Sequence, residues 1–344
     1  MSMRVHEKMR SLLASREAML GRWGRRIALV FGGVVMVVVL VTLGFAHLFG
    51  PPGVYEKRPE FIVHPNDSVA SIGKALEEQG FVRYGGAFAV AYQLTRGETS
   101  IRPGGYTLTP DMDALAVAKK LGEAPYLSWV VIPEGRRKEE VAALLAESLG
   151  WTAEQKEEWL QATVASSTPS DGVYFADTYL IPSDQEPAQV AARLRDRFQE
   201  AVAVYAADIT NSPFSYEEII TLASLVEREA AKNDKALVAG ILVNRIKRGM
   251  LLQVDATLQY IEGREGAWWP APDPDDKDHE SPYNTYRHTG LPPAPIATPS
   301  LASIEAVLAP QKTSCLYYLH DENGRIHCST NYQAHVANVN RYLR

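Results

Sequence analysis

The sequence predicts an α+β protein carried on one N-terminal transmembrane helix, with a small mixed module followed by a larger α+β domain. Three observations predict it. Residues 27–46 are twenty positions without a charged side chain, rich in Val, Leu and Gly. Beyond them, short β-branched or aromatic stretches alternate with capped stretches of helical period. Near residue 126 the strand-then-helix pattern starts afresh, which sets a domain boundary there.

At about 1.5 Å per residue the apolar run spans the roughly 30 Å hydrocarbon core of a bilayer, so a membrane helix is expected over 27–49. Residues 1–26 form a basic tail, with Arg4, Lys8, Arg10, Arg16, Arg22, Arg25 and Arg26 against Glu7 and Glu17. The positive-inside rule puts that tail in the cytoplasm and everything after residue 50 outside. A cleaved signal peptide fits less well, because the apolar stretch is long and no small-x-small cleavage site follows it. The whole chain carries a formal charge of −6 despite this basic tail. The exported part is therefore acidic, which argues against a nucleic-acid partner.

After a linker over 50–60, Phe61-Ile62-Val63 reads as a strand and Asp67-Ser68-Val69 as a helix entry. A helix near 86–95, a strand around 105–108 and a helix over 113–121 complete a module at 61–125. In the domain at 126–344, Val130-Val131-Ile132 is a strand and 138–149 has helical periodicity. Residues 152–206 read as helical, interrupted by a turn-rich aromatic segment at 172–179. Ser215 with Glu218 is a capping-box pattern that opens a helix to residue 230. A further helix runs over 236–248 and ends at Gly249. The Asp- and Pro-rich stretch 265–280, with Trp268 and Trp269, has the composition of an exposed loop.

Residues 316–320 and 325–329 read as a hairpin turning at Asn323-Gly324. A two-residue loop there sets Cys328 opposite Leu319 and His320 opposite His327. Cys315 then lies too far along the ladder for a bridge, so Cys315 and Cys328 are expected as free thiols. The sequence has no GxxxxGK[ST], HExxH or CxxC and no histidine spacing suited to a metal, so neither metal nor cofactor is implied.

The candidate chemistry lies in the helix around 222–229. A carboxyl on a partly apolar helix face can keep its proton near neutral pH, because burial disfavours the charged form. Glu227 and Glu229 fall roughly 80° to either side of the apolar arc and diverge from each other by about 200°. Periodicity does not choose between them, and a solvated flank paired with Arg228 and Lys232 accounts for both equally well. Asn244 and Arg245, then Gln253, Asp255, Thr257 and Tyr260, bring together the hydrogen-bonding groups that bind sugars, though a capped helix end and a loop contain the same mixture. Five prolines between 282 and 299 stiffen the segment that follows Tyr283, Asn284, Thr285 and Tyr286. Such a segment serves equally as a binding wall or as a strap over the core.

The run Ala223-Ser224-Leu225-Val226-Glu227-Arg228-Glu229, then Asn244-Arg245-Ile246, Gly249-Met250-Leu251-Leu252-Gln253-Val254-Asp255, the Ser281–Tyr286 segment and the Gly290–Ile296 segment resemble, in order and spacing, the endolytic murein transglycosylases of the MltG (YceG-like) family. The resemblance implies several things. Residues 61–125 look like the family's LysM-like, glycan-binding subdomain, and 126–344 like its transglycosylase domain. Glu227 takes the catalytic place, cutting the MurNAc-GlcNAc bond of peptidoglycan and leaving 1,6-anhydro ends. Asn244, Arg245, Gln253, Asp255, Tyr260, Tyr283, Asn284, Thr285 and Tyr286 become substrate-binding residues. The anchor implies the cytoplasmic membrane, with the enzyme facing the periplasm or cell wall near penicillin-binding proteins and other synthesis proteins. Ala176, Val254, Ala256, Ala294 and Ala334 depart from the family's usual residues, and the Trp268-Trp269 loop looks like an insertion. Two other functions remain open: a lysozyme-like hydrolase and a non-catalytic peptidoglycan-binding scaffold.

Overall fold

The computed structural model describes residues 23, 27, 29–52, 60–96, 100–109, 111–164, 172–231 and 233–343. The basic tail, apart from Trp23, and most of the linker lie outside the described residues. The chain divides into two compact units, 1–125 and 126–344.

The first unit opens with the apolar helix α1 (Leu29–Phe49), whose mean hydropathy is 2.7 and whose side chains are unburied. Its length and composition suit a single membrane crossing. Strand β1 (Glu60–Val63), helices α2 (Val69–Glu78) and α3 (Gly85–Arg96), strand β2 (Gly104–Thr107) and helix α4 (Ala114–Leu121) follow. Ser68 caps α2 in a box with Ser71, and Asp113 caps α4. The strands pair antiparallel with Phe61 opposite Tyr106. Phe61, Tyr106, Ile72, Leu76, Phe88 and Leu121 are all buried in one core. Helices α2 and α3 meet backbone to backbone at two glycines: a Cβ on Gly85 would lie 2.3 Å from the Gly73 carbonyl oxygen.

The second unit is larger. Strand β3 (Leu127–Val131) leads to helices α5 (Lys138–Leu149) and α6 (Ala153–Val164), and strand β4 (Thr178–Pro182) returns antiparallel to β3 with Tyr179 opposite Val130. Next come α7 (Pro187–Val202), α8 (Ala206–Asn211), α9 (Tyr216–Glu229), α10 (Lys235–Lys247), α11 (Asp255–Glu262) and α12 (Leu301–Leu308). Strands β5 (Tyr317–His320) and β6 (Ile326–Ser329) and helix α13 (Tyr332–Tyr342) end the chain. Helix α9 is the centre of this unit and packs on α10, α11 and α12. All eight of its residues from 219 to 226 are buried. A helix so enclosed has no solvent stripe to orient it.

The C-terminal hairpin corrects two expectations. Its loop takes three residues, 322–324, between Asp321 and Arg325: the Asp321 N–H donates to the Arg325 carbonyl at 3.0 Å, and Gly324 adopts φ +72°. The extra residue moves the register by one, so Cys328 faces Tyr318, and His327 faces Leu319 rather than His320. Cys315 precedes the first strand instead of extending its ladder, and it is bonded to Cys328 with 5.8 Å between Cα atoms. The cysteines are a disulfide, not free thiols.

Candidate active site

The capping box of α9 forms as its sequence indicates. Ser215 Oγ accepts the Glu218 N–H at 3.2 Å, and Glu218 Oε2 accepts the Ser215 N–H at 2.8 Å. At the other end of the helix, the two glutamates of the last turn enter different surroundings.

Glu227 Oε2 accepts from four donors: Lys235 Nζ at 2.7 Å, Ser303 Oγ at 2.6 Å, Ser300 Oγ at 2.5 Å and the Ser300 N–H at 2.9 Å. Lys235 opens α10, and Ser300 caps α12, so one oxygen ties three helices together. The side chains of the Glu227–Lys235 pair are only 10% and 12% exposed. Burial is the largest single influence on Glu227 and raises its pKa. The Lys235 ammonium, the two hydroxyls and the Ser300 N–H outweigh it, so the carboxyl titrates below its ordinary value. Glu227 therefore rests as a carboxylate. An ammonium and three further donors all favour its charged form.

Glu229 has the opposite setting. Its Oε2 accepts from the Tyr318 hydroxyl at 2.8 Å and its Oε1 from the Ala256 N–H at 3.2 Å, at the start of α11. Burial dominates and pushes its pKa up, with Asp255 adding to the rise, while the two donors and His320 oppose it without prevailing. The Tyr318 hydroxyl is itself held well above its usual range by burial and by Glu229, so it stays a neutral donor.

Glu229 lines a cavity of about 410 Å³ together with Arg245, Gln253, Asp255, Tyr286, Tyr317, Tyr318, His320, Tyr332 and His335. The Tyr286 hydroxyl donates to Asp255 Oδ1, and burial followed by that bond raises the Tyr286 pKa. Tyr317 stacks on His335 with ring centroids 5.4 Å apart and meets Tyr332 at 6.0 Å. Carboxyls, hydroxyls and flat aromatic faces within one concavity are groups suited to holding a sugar chain. Glu227 is not among the lining residues.

Four of the nine candidate binding residues line this cavity: Arg245, Gln253, Asp255 and Tyr286. Arg245 is also a strut, donating to the carbonyls of Leu316 and Leu252 at 2.6 Å each. Gln253 stands at φ +52°, and its N–H donates to the Thr285 carbonyl. The other five have internal partners. Asn244 donates to the carbonyls of Thr313 and Cys315. Asn284 donates to the carbonyls of Lys277 and His279. Buried Thr285 accepts the Val254 N–H and meets Thr257. Tyr260 and Tyr283 meet at a tilt with ring centroids 5.0 Å apart, beside Arg137, which lies 4.2 Å above the Tyr260 ring. Sequence reasoning passed over Tyr317, Tyr318, His320 and His335. They belong to a hairpin and terminal helix whose place beside α9 depends on long-range packing.

The sequence profile of the YceG-like family matches residues 61–341, most of the chain. The chain belongs to the YceG-like family. Among YceG-like relatives, the endolytic murein transglycosylase of Bacillus subtilis (strain 168) is 28% identical, over 80% of this chain and 82% of its own. The endolytic murein transglycosylase of Streptococcus pneumoniae (strain R6) is also 28% identical over 80% of this chain, which spans 57% of the length of that relative. A crystal structure of a putative YceG-like protein from Listeria monocytogenes superposes with TM-score 0.56 and 25% identity. It covers 82% of this chain and 99% of the Listeria chain.

Proposed function

We propose that this YceG-like chain is an endolytic lytic transglycosylase that cuts the MurNAc-GlcNAc bond of nascent peptidoglycan strands, with Glu227 as its acid and base. One observation carries the reading: in a chain whose residues 61–341 match the YceG-like family, the Glu227 carboxyl at the end of α9 is gathered by Lys235, Ser300 and Ser303, beside a cavity that Glu229 lines. The names of the relatives support the substrate.

In this mechanism Glu227, once protonated, gives its proton to the bridging oxygen, and the bond from that oxygen to C1 of the muramic sugar breaks. The sugar's own C6 hydroxyl then attacks C1 and returns its proton to Glu227, closing a 1,6-anhydro ring. The enzyme is regenerated without consuming water. Asp255, in the cavity that Glu229 lines, stabilises the positive charge that builds at C1. Lys235, Ser300 and Ser303 position the Glu227 carboxyl. In this reading α1 is a single-pass anchor in the cytoplasmic membrane and the enzyme works outside it, near the synthesis machinery, where cutting limits strand length; the length and apolar composition of α1 support it. Residues 61–125, as a LysM-like module, add affinity for glycan.

The place of Asp255 in the cavity favours a second reading, a hydrolase in which Asp255 activates water. Digestion of purified peptidoglycan by the full chain, with mass spectrometry of the products, tests both. Anhydro ends from wild type, their loss in folded Glu227→Gln and their persistence in Glu229→Gln are expected. Reducing ends would favour the hydrolase, and undiminished cutting by Glu227→Gln would remove Glu227 from the mechanism. Binding without cutting by wild type would leave a scaffold.

A further inference from the structure

Helix α3 turns an apolar face to solvent. It packs on α2 and α4 and sends Phe88, Ala91 and Tyr92 into the core of the first unit. A helix at a protein surface ordinarily carries charges on its outer side. From Gly85 to Thr95, α3 has no charged residue at all. Gly86, Val90 and Leu94 recur every four residues along the outer side, where Val90 is 51% and Leu94 77% exposed. A Cβ on Gly86 would meet nothing. Arg83 stands exposed just ahead of the helix, and Arg96 is its last residue. The outer end of α1 is attached where α3 begins. The Tyr84 hydroxyl shares a hydrogen bond with His47 Nε2 at 2.9 Å, and Phe49, the last residue of α1, packs on the core of the module. Residues 50–59 join α1 to β1, a reach of about 35 Å even when fully extended.

We infer that the Val90–Leu94 face of α3 docks on the outer leaflet of the membrane that α1 crosses, laying the module at residues 61–125 against the bilayer. This placement rests on α1 being the anchor. The chain itself brings α3 to the membrane, because Tyr84 is bonded to the outer end of α1. Two aliphatic side chains would hold a free protein to lipid only weakly, but tethering makes the contact intramolecular and so raises its effective concentration. An amphipathic helix lying in the interface sinks its apolar side by about 5–10 Å, a depth that Val90 and Leu94 can reach while Phe88 and Tyr92 stay in the core. The ends of the apolar stretch suit the same boundary. Arginines lay their aliphatic stems along apolar surface and reach lipid phosphates with their guanidinium groups, and Arg83 and Arg96 bracket the stretch. Tyrosine collects at the membrane surface, where its ring is apolar and its hydroxyl is wet, and Tyr84 is partly exposed there.

The test is nitroxide accessibility in the full chain, reconstituted into liposomes of phosphatidylethanolamine and phosphatidylglycerol. Val90→Cys, Leu94→Cys, Val38→Cys and Glu200→Cys are spin-labelled one at a time, and Cys315 and Cys328 take no label because they are bonded to each other. Collision with oxygen, which concentrates in the bilayer, is compared with collision with a water-soluble nickel(II) chelate. Labels at Val90 and Leu94 should meet nickel several-fold less often than the label at Glu200, an exposed side chain of α7. Their oxygen contact should rise toward that of the label at Val38 within α1. Adding Leu94→Glu should return nickel contact to the label at Val90 and leave the circular-dichroism melt unchanged, since Leu94 lies outside the core. Nickel contact at Val90 and Leu94 equal to that at Glu200 overturns the docking. Shielding from nickel and oxygen alike also overturns it, because protein or glycan, not lipid, then covers the face. The label at Val38 separates the levels: if it meets nickel freely the anchor reading fails, and if it is shielded while Leu94 is not, only the docking fails.

Discussion

The Lys235 ammonium lies 2.7 Å from Glu227 Oε2, only two residues along α9 from Glu229, whose carboxyl pKa burial pushes up. One helix end thus supports two glutamates with opposite titration. Because the pair is buried, removing one partner leaves an uncompensated charge. Glu227→Gln should cost about 3 kcal/mol at neutral pH, a typical price for breaking a buried ion pair. Glu227 titrates below its ordinary value, so its contribution is present above the unfolded carboxyl pKa and is lost as pH falls through the folded one. Urea unfolding of wild type and variant should show the gap at pH 7 narrowing toward pH 3. A constant gap would mean that the charge is irrelevant.

Glu229 gives the reverse sign. Its folded pKa is raised, so the folded state holds a proton that the unfolded chain has released, and stability declines as pH rises from the unfolded to the folded value. Glu229→Gln keeps a neutral side chain at every pH and escapes that decline. It should melt higher than wild type at pH 7, with the advantage vanishing in acid below the ordinary carboxyl pKa. Thermal melts across pH measure this. A variant less stable than wild type at pH 7 contradicts the assignment of a raised pKa.

Trp269 ties the apparent insertion to α9. Arg228 stands 3.8 Å above its ring, and its indole N–H donates to Glu140 Oε2 at 2.7 Å. Trp269→Phe keeps the stacking and loses the donor, for a cost of about 1 kcal/mol. Trp269→Ala loses both, adding up to about 2 kcal/mol for a desolvated cation–π contact. Denaturant unfolding should rank them wild type, Phe, Ala. Equal stabilities would make the loop an ornament.

The sequence showed much of this architecture and little of the choice between the two glutamates. The capping residues Ser68, Asp113 and Ser215 announced their helices, because a cap is a local hydrogen bond. Helix α9 hid the orientation of its glutamates because 219–226 are buried on every side, so apolar periodicity had no solvent face to measure against. Their surroundings come instead from Ser300, Ser303 and Tyr318, each more than 70 residues further along the chain. Strand β4 falls partly in the turn-rich break at 172–179 and partly in the stretch that reads as helical, since Thr178–Pro182 is recognisable only beside β3. The hairpin was located correctly but misregistered by a single loop residue. That shift, together with the bend ahead of Tyr317, turned two expected thiols into a disulfide.

Asp255 decides between the two chemistries at this cavity. It accepts from the Tyr286 hydroxyl and raises the Glu229 pKa, so its carboxylate acts on the site whichever nucleophile is used. If the substrate supplies the nucleophile, Asp255 only stabilises charge. Asp255→Asn should then slow cutting roughly 100-fold, the scale of losing one electrostatic stabiliser, while every product still ends in an anhydro ring. If water is the nucleophile, Asp255 is the base that activates it, and the variant should be as inert as Glu227→Gln. Product mass spectra and rates from the same digests separate these outcomes. Slow cutting with anhydro termini supports transglycosylation, because the substrate's own hydroxyl needs no second carboxylate to attack.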